Sequence, residues 1–233
     1  MGAVTTEQGW PPATFLGGLK PAAAAELVGL GVGRRFEADQ PILREGATDD
    51  HAVLLMDGFV KVTTAVQGFE TLLGIRVPGE VVGEIGALTA EPRNATVTAC
   101  GPVVAKILTR AAFEGFVRRH PVASGLVTAA VARQLKWANR RRSDFAAFPA
   151  HVRLARLLVE IADVCGRDRP GGGVELLVPL SQVELAAMIG IAQATVEKAV
   201  RDLRAQGLID TGYRRIVLVR TDLLRRLGDE AGR

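Results

Sequence analysis

The sequence has few of the residues that build disulfides, metal centres or membrane spans. Its two cysteines, Cys100 and Cys165, are far apart and have no cysteine neighbours, so both are expected to be small buried hydrophobic side chains. The three histidines, His51, His120 and His151, lack metal-ligand spacing. No apolar run reaches the roughly 20 residues of a membrane helix, and no signal peptide pattern begins the chain. These absences predict a cytoplasmic protein without metal, tightly bound cofactor or membrane partner.

The composition is that of a globular protein with room for two cores. The chain has 233 residues, of which 48% are hydrophobic and 23% charged, which suits one or two domains. Its net charge of +4 is compatible with an anionic partner such as nucleic acid, but it does not require one.

The first half of the chain alternates short apolar runs with turn signals. Residues 1–18 are predicted to be a flexible tail, and Pro21–Leu30 has helical spacing. The following apolar runs are Ala52–Met56, Val60–Val62, Thr71–Val77 and Val103–Leu108, separated by Asp57-Gly58, Pro78-Gly79 and Gly101-Pro102. Many short strands of this kind predict a β-roll or small barrel over residues 19–118.

A long helix is predicted to begin near Pro121, which suits a first helical turn. One apolar stripe contains Val127, Ala130, Val131, Leu135 and Ala138. The stripe could pack on its own domain or against a partner helix across a two-fold axis. The small size of its residues favours a homodimer. Phe148-Pro149 predicts a hinge, so residues 119–148 are interpreted as dimerisation helix and hinge.

Residues 149–233 carry the pattern of a helix-turn-helix with a wing. Ser181 and Glu184 form a capping box, Gly190 suits the tight turn, and Val196 is placed to fill the core between two short helices. A plain helical hairpin is the alternative. However, residues 208–219 then read as two strands joined by a cationic turn, which favours a winged DNA-binding domain.

The predicted DNA contacts lie on the second helix and the wing. Gln193, Ala194, Glu197 and Lys198 are expected to face the major groove, where Gln can pair with adenine and Lys with guanine. The expected phosphate contacts are Ser181, Thr195, Arg214 and Arg215. The predicted partner is therefore double-stranded DNA, as a palindromic operator.

A second motif, PGEVVGEIGALTAEPRNATV, occupies residues 78–97. Backbone amides near Gly83–Ile85 could form an anion nest, Arg93 could clamp a phosphate, and Glu84 could accept from a sugar hydroxyl. On chemistry alone, a loop held by a Glu84–Arg93 ion pair explains the pattern equally well.

Residues 83–88 (GEIGAL) and 92–97 (PRNATV) resemble the phosphate-binding cassette of cyclic-nucleotide-binding domains. Together with the β-roll, long helix, hinge and winged helix-turn-helix, they resemble the catabolite activator (cyclic AMP receptor protein, CRP/FNR) family over residues 15–225. The resemblance implies an α+β homodimer with its effector between β-roll and long helix. By motif, Glu84 would meet the ribose and Arg93 the cyclic phosphate. The further contacts implied are Gly83, Ile85, Asn94, Ala95, Ala138 and Asn139.

Several residues depart from the family pattern. Ala138 stands where cyclic-AMP-responsive members have a threonine, Asn94 replaces Ser or Thr, and Gln134 stands where an arginine is frequent. Cyclic AMP is the first expectation for the effector, with cyclic GMP or no nucleotide as rivals. The recognition helix begins Ala192-Gln-Ala-Thr-Val instead of Ser-Arg-Glu-Thr-Val, which predicts a different operator. The redox and haem branches of the family gain no support.

Three functions are compatible with the two motifs: an effector-gated regulator, a ligand-independent regulator of the same fold, and an enzyme acting on nucleotides. The sequence offers no nucleophile–base pair and no metal-ligand set, so an enzyme is not expected. A contact with RNA polymerase is expected if the protein activates transcription.

Overall fold

The computed structural model describes residues 10–66 and 69–230. The chain forms a mixed α+β fold with a β-rich N-terminal domain, a long helix and a C-terminal helix-turn-helix domain. Two compact units emerge from the packing, and the boundary falls inside the long helix, between Leu135 and Lys136. The described residues up to Leu135, without 65–72, form the sensor unit, and the remainder belongs to the DNA-binding unit.

The N-terminal half contains two four-stranded sheets, which lie in the sensor unit apart from the end of β4 and the beginning of β5. One has the order β1-β8-β3-β6 and the other the order β2-β7-β4-β5. The strands are β1 (Val32–Phe36), β2 (Pro41–Leu43), β3 (Ala52–Asp57), β4 (Val60–Val66), β5 (Phe69–Arg76), β6 (Val81–Val82), β7 (Thr96–Ala99) and β8 (Val103–Leu108). The predicted β-roll is confirmed, because the four apolar runs of the sequence lie in β3, β4, β5 and β8.

Both faces of β3 are buried, which explains its unbroken apolar sequence. Val53 and Leu55 join the core that contains residues of both sheets. Ala52 and Leu54 face the opposite way, into a second core with the helices. The helices of this core include α1 (Pro21–Leu30), α3 (Arg110–Arg119) and the start of α4 (Pro121–Ala147).

The predicted flexible tail is wrong for residues 10–18. Phe15 and Leu16 are buried in the helical core, and Thr14 donates its hydroxyl to the carbonyl of Pro11 at 2.7 Å. A Cβ on Gly17 would lie 2.0 Å from the Pro11 oxygen. The glycines and prolines therefore permit a tight packed turn here. The first nine residues of the predicted tail lie outside the described part of the chain.

Helix α4 runs from Pro121 to Ala147, and α5 runs from Ala150 to Cys165. The predicted helix break at Phe148-Pro149 is confirmed as a boundary between the two helices. The boundary between compact units lies elsewhere, because the last twelve residues of α4 pack with the DNA-binding unit. Motion at Phe148-Pro149 stays a prediction.

The DNA-binding unit contains α6 (Gln182–Ile189) and α7 (Gln193–Ala205), joined by a turn at Gly190 with φ +64°. Both pack against α5, and α5 also packs against α8 (Thr221–Glu230). A sheet of order β11-β12-β10-β9 completes the unit. Its strands are β9 (Gly166–Asp168), β10 (Val174–Leu176), β11 (Ile209–Gly212) and β12 (Arg215–Leu218).

Arginines hold the end of α6 in place. Arg141, a buried residue of α4, donates to the carbonyl of Met188 at 3.3 Å, and Arg153 of α5 donates to that of Ile189 at 2.9 Å. Cations near a helix C-terminus satisfy its last carbonyls and interact favourably with the helix dipole. The turn of the helix-turn-helix is therefore fixed from both α4 and α5.

Among the described residues, no helix is long and apolar enough to cross a membrane. The same part of the chain holds no group of three or more His, Cys, Asp or Glu that could bind a metal ion.

Candidate functional site

The cassette is a short loop and helix that follow strand β6. Gly83 has φ +75° and precedes α2 (Glu84–Thr89). A Cβ at this position would lie 2.7 Å from both a methyl group of Leu43 and Nη1 of Arg93. Only glycine fits this conformation and this contact distance without strain, so Gly83 lets Arg93 approach the start of α2.

Arg93 is almost completely buried, with a side chain 2% exposed. Its Nη1 donates to the carbonyl of Gly83 at 2.8 Å, and its Nη2 donates to the carbonyl of His51. Its Nε donates to Oδ1 of Asp49 at 2.6 Å. The carboxylate paired with Arg93 is therefore Asp49, from the loop between β2 and β3. The Glu84–Arg93 pair that the sequence allowed is replaced by this one.

Glu84 is buried at the first position of α2. Burial raises the pKa of its carboxyl, because the charged form loses its hydration, while its own backbone N–H and the charge of Arg76 act in the opposite direction. A carboxyl oxygen has two lone pairs and can accept a hydrogen bond from a hydroxyl group.

The other expected cassette residues fall into two environments. Ile85 is half-buried and its carbonyl accepts the Thr89 hydroxyl at 2.9 Å. Asn94 is exposed, and Ala95 is buried in the core shared by the two sheets. The structure thus brings Gly83, Glu84 and Arg93 together, with Ala95 as a packing residue.

Ala138 and Asn139 lie on α4 and are exposed. The carbonyl of Asn139 accepts the Ser143 hydroxyl at 3.2 Å. Both residues belong to the DNA-binding unit, whereas Gly83–Ala95 belongs to the sensor unit. Their contact with an effector stays a prediction.

The helix-turn-helix begins with the predicted capping box. The Ser181 hydroxyl accepts the backbone N–H of Glu184 at 3.1 Å, and the Glu184 carboxylate accepts the backbone N–H of Ser181 at 2.7 Å. The Ser181 hydroxyl also donates to that carboxylate at 2.8 Å. Val196 is fully buried between the helices, where the sequence placed it. Ser181 therefore has a structural role beside its predicted phosphate contact.

The first turns of α7 present their polar residues to solvent. Gln193, Ala194, Thr195 and Lys198 are exposed, and Glu197 is half-buried. The Gln193 side-chain amide donates to the Glu197 carboxylate at 2.9 Å. The amide has a second N–H donor and a carbonyl oxygen, so Gln193 can keep this bond and still offer one donor and one acceptor to an adenine.

The wing turn joins β11 to β12. Arg214 has φ +52° and is exposed, while Arg215 is half-buried and pairs with Asp210 at 2.8 Å. That ion pair reduces the charge that Arg215 can offer to a phosphate. Arg214 is the more exposed of the two predicted wing cations.

The sequence interpretation missed three candidate residues. Arg201 is exposed on α7 one turn beyond Lys198. Its i, i+3 spacing from Lys198 could have shown that both cations lie on one face of the helix. Tyr213 at the wing tip is 93% exposed, and its position in the turn between the two predicted strands could have identified it as a candidate. Asp49 had no local signal, because it is 44 residues from Arg93 in sequence.

Comparison with known proteins agrees with both regions. The family model of the cyclic nucleotide-binding domain matches residues 33–120, and that of the Crp-like helix-turn-helix domain matches residues 152–227. The transcriptional regulator LdrP of Thermus thermophilus is 30% identical over 85% of this chain and 96% of its own. The CRP-like cAMP-activated global transcriptional regulator of Mycobacterium tuberculosis is 28% identical over 82% of this chain and 86% of its own.

Solved structures show the same architecture. A CRP-family transcriptional regulator from Thermus thermophilus superposes with a TM-score of 0.70 and 25% identity, over 84% of this chain and 96% of that one. A nucleotide-binding type of β-roll followed by a winged helix-turn-helix defines a DNA-binding transcription regulator. The chain belongs to the CRP/FNR family, which is made up of transcription regulators and not of enzymes.

Proposed function

We propose that the protein is a homodimeric transcription regulator whose affinity for a palindromic operator is controlled by a cyclic nucleotide, with cyclic AMP as the first choice. The observation that carries the nucleotide part is Arg93, a buried cation at the glycine turn of the cassette. A buried guanidinium offers a phosphate strong, charge-assisted bonds in a setting that excludes water.

Glu84 extends this site from phosphate to sugar. Its carboxyl is buried at the first position of α2, whose preceding residue, Gly83, contacts Nη1 of Arg93. Arg93 offers a cation to a phosphate and Glu84 offers an acceptor to a hydroxyl, which together match the groups of a ribose phosphate. This pairing distinguishes a cyclic nucleotide from a simple inorganic anion.

The dimer part rests on the apolar stripe of α4. The side chains of Val131 and Leu135 are 39% and 61% exposed, although both are apolar and lie one helical turn apart. Two such helices packed across a two-fold axis would bury them. A two-fold dimer presents two recognition helices to two half-sites, which is why a palindrome is expected.

Allosteric control follows from the division of α4 between two compact units. A ligand that favours one arrangement of the units by differential affinity shifts the population competent for DNA binding. Since the target is chromosomal DNA, we place the protein in the cytoplasm. If it activates transcription, a contact with RNA polymerase is also required.

The test is calorimetric titration of purified protein with cyclic AMP and cyclic GMP. Saturable binding is expected, and Arg93→Ala should abolish it, because the phosphate loses its buried cation. Arg44→Ala is the matched control, since Arg44 is an exposed arginine of the same unit. Unchanged affinity in Arg93→Ala would refute the assignment of the clamp.

One observation favours a second candidate, a regulator of the same fold that is ligand-independent or senses another effector. Arg93 already has an internal carboxylate partner in Asp49, and Ala138 offers no hydroxyl to a base. Absence of binding by either nucleotide, together with specific DNA binding by the same preparation, would support this candidate.

A further inference from the structure

The loop between β2 and β3 places a carboxylate on the guanidinium of Arg93. Oδ1 of Asp49 lies 2.6 Å from Nε and 2.5 Å from Nη2. One carboxylate oxygen therefore occupies the Nε/Nη2 edge, which is an edge that a phosphate oxygen would use for a paired contact.

This contact is built into the backbone. Arg93 N–H donates to the Ala47 carbonyl at 2.8 Å, and Gly46 N–H donates to the Arg93 carbonyl at 2.8 Å. These two bonds align the β2–β3 loop with the cassette and hold Asp49 opposite Arg93. The Asp49 side chain is nevertheless 43% exposed, so it can rotate into water without disturbing a core.

The donors of Arg93 are almost fully engaged. A guanidinium has five N–H groups, and Asp49, His51 and Gly83 engage those of Nε and Nη2 and one of Nη1. A bidentate phosphate needs two donors on one edge. An incoming phosphate must therefore replace one of these partners, and Asp49 is the only one of the three that is a side-chain anion.

We propose that Asp49 is an internal anion that competes with ligand phosphate for Arg93 and thereby sets the ligand concentration at which the sensor responds. The inference rests on the proposed function and deepens it. Asp49 acts through Arg93 and is a specificity-determining residue of the site. A ligand without an anionic group that can bind the guanidinium cannot displace its carboxylate.

The experiment is calorimetric titration of the full-length chain with cyclic AMP, and with inorganic phosphate as a second probe. The variants are Asp49→Asn, which keeps the shape and removes the charge, and Asp50→Asn, which removes a neighbouring exposed charge. Asp49→Asn is expected to bind cyclic AMP about tenfold more tightly than the wild type, and Asp50→Asn to remain within about twofold, because exposed charges are screened.

Thermal unfolding gives a second readout. Without ligand, Asp49→Asn should melt at a lower temperature, because the buried guanidinium loses its counter-charge. At saturating cyclic AMP it should gain more in melting temperature than the wild type, since stabilisation by a ligand increases with affinity.

The possible outcomes separate this inference from the proposed function. If the wild type binds cyclic AMP and Asp49→Asn binds it equally or more weakly, Asp49 orients Arg93 or is neutral, and the inference is wrong while the function stands. If only Asp49→Asn binds cyclic AMP or phosphate, the inference stands and nucleotide control of the natural chain fails. If neither protein binds either probe, both are wrong.

Discussion

At the scale of single residues, Glu84 combines a proposed ligand contact with a cost to folding. Its carboxyl is buried, and burial raises its pKa above the ordinary value of 4.5. An acid whose pKa is raised in the folded state binds protons more tightly there than in the unfolded chain. At pH values above that pKa the folded protein therefore carries an unfavourable buried charge.

Glu84→Gln should accordingly stabilise the ligand-free protein at pH 7, by on the order of 1 kcal/mol. The gain should shrink as the pH falls through the raised pKa and vanish below about 4.5, where wild-type Glu84 is protonated in both states. Denaturant unfolding at a series of pH values measures this difference. Glu91→Gln, an exposed carboxyl of the same loop, is the control, and an equal effect in both variants would contradict the burial argument.

Residue roles were predictable from the sequence where they depend on local backbone geometry. The turn role of Gly190 and the cap of Ser181 follow from a few adjacent residues, and the structure confirms both. The partner of Arg93 was not predictable, because Asp49 meets it only after two strands have paired. The cation of the site could be predicted from its local motif, whereas its counter-ion depends on tertiary packing and could not.

At the scale of elements, α7 is the helix that we expect to read the DNA sequence. Lys198 is exposed and directed away from the buried Val196 and Val200. We expect Lys198→Ala to weaken binding to an operator selected from random DNA by roughly 1–3 kcal/mol. The loss on non-specific DNA should be smaller, because there only one phosphate-directed charge is removed.

Arg204→Ala is the matched control for this prediction, since it removes one positive charge from an exposed position near the end of the same helix. Fluorescence anisotropy on both DNAs at one fixed salt concentration gives the comparison. Equal losses of Lys198→Ala on operator and random DNA would assign Lys198 to the backbone and leave base reading to other residues of α7.

Elements with a continuous apolar run in the sequence were predicted, whereas short elements and those interrupted by glycine were missed. Strand β8 has the predicted bounds, Val103–Leu108. Helix α3 was missed because Gly115 interrupts a short segment, although Phe113 and Phe116 are completely buried. Strand β9 had no sequence signal of its own, since a three-residue strand gains its order from pairing with β10.

At the scale of the whole molecule, the order of domains was predictable because it rests on two independent motifs. The position of the boundary was not. The sequence break at Phe148-Pro149 is a helix end, yet the compact units divide between Leu135 and Lys136. Arg141 and Asp144 explain the difference, since both are buried on α4 and pair with Glu160 and Arg156 of α5. Their charged side chains contribute nothing to an apolar periodicity, so the sequence pattern did not mark these positions as buried.

The exposed stripe of α4 leads to a prediction about assembly. Leu135→Glu places a charge where two helices would meet, and an unpaired charge cannot be buried in such an interface. We expect this variant to sediment as a monomer at concentrations where the wild type is a dimer. Lys136→Gln, which changes the net charge by the same amount at an exposed position of α4, should leave the dimer intact.

DNA binding then tests whether the dimer is the functional unit. A monomer engages one half-site, so Leu135→Glu should lose most of its affinity for a full palindrome while binding an isolated half-site as the wild type does, because each half-site receives one recognition helix. If Leu135→Glu stays dimeric, the stripe packs within its own chain in solution. If it becomes monomeric and still binds the palindrome with wild-type affinity, the operator is read by a single recognition helix, and two-fold symmetry plays no part in recognition.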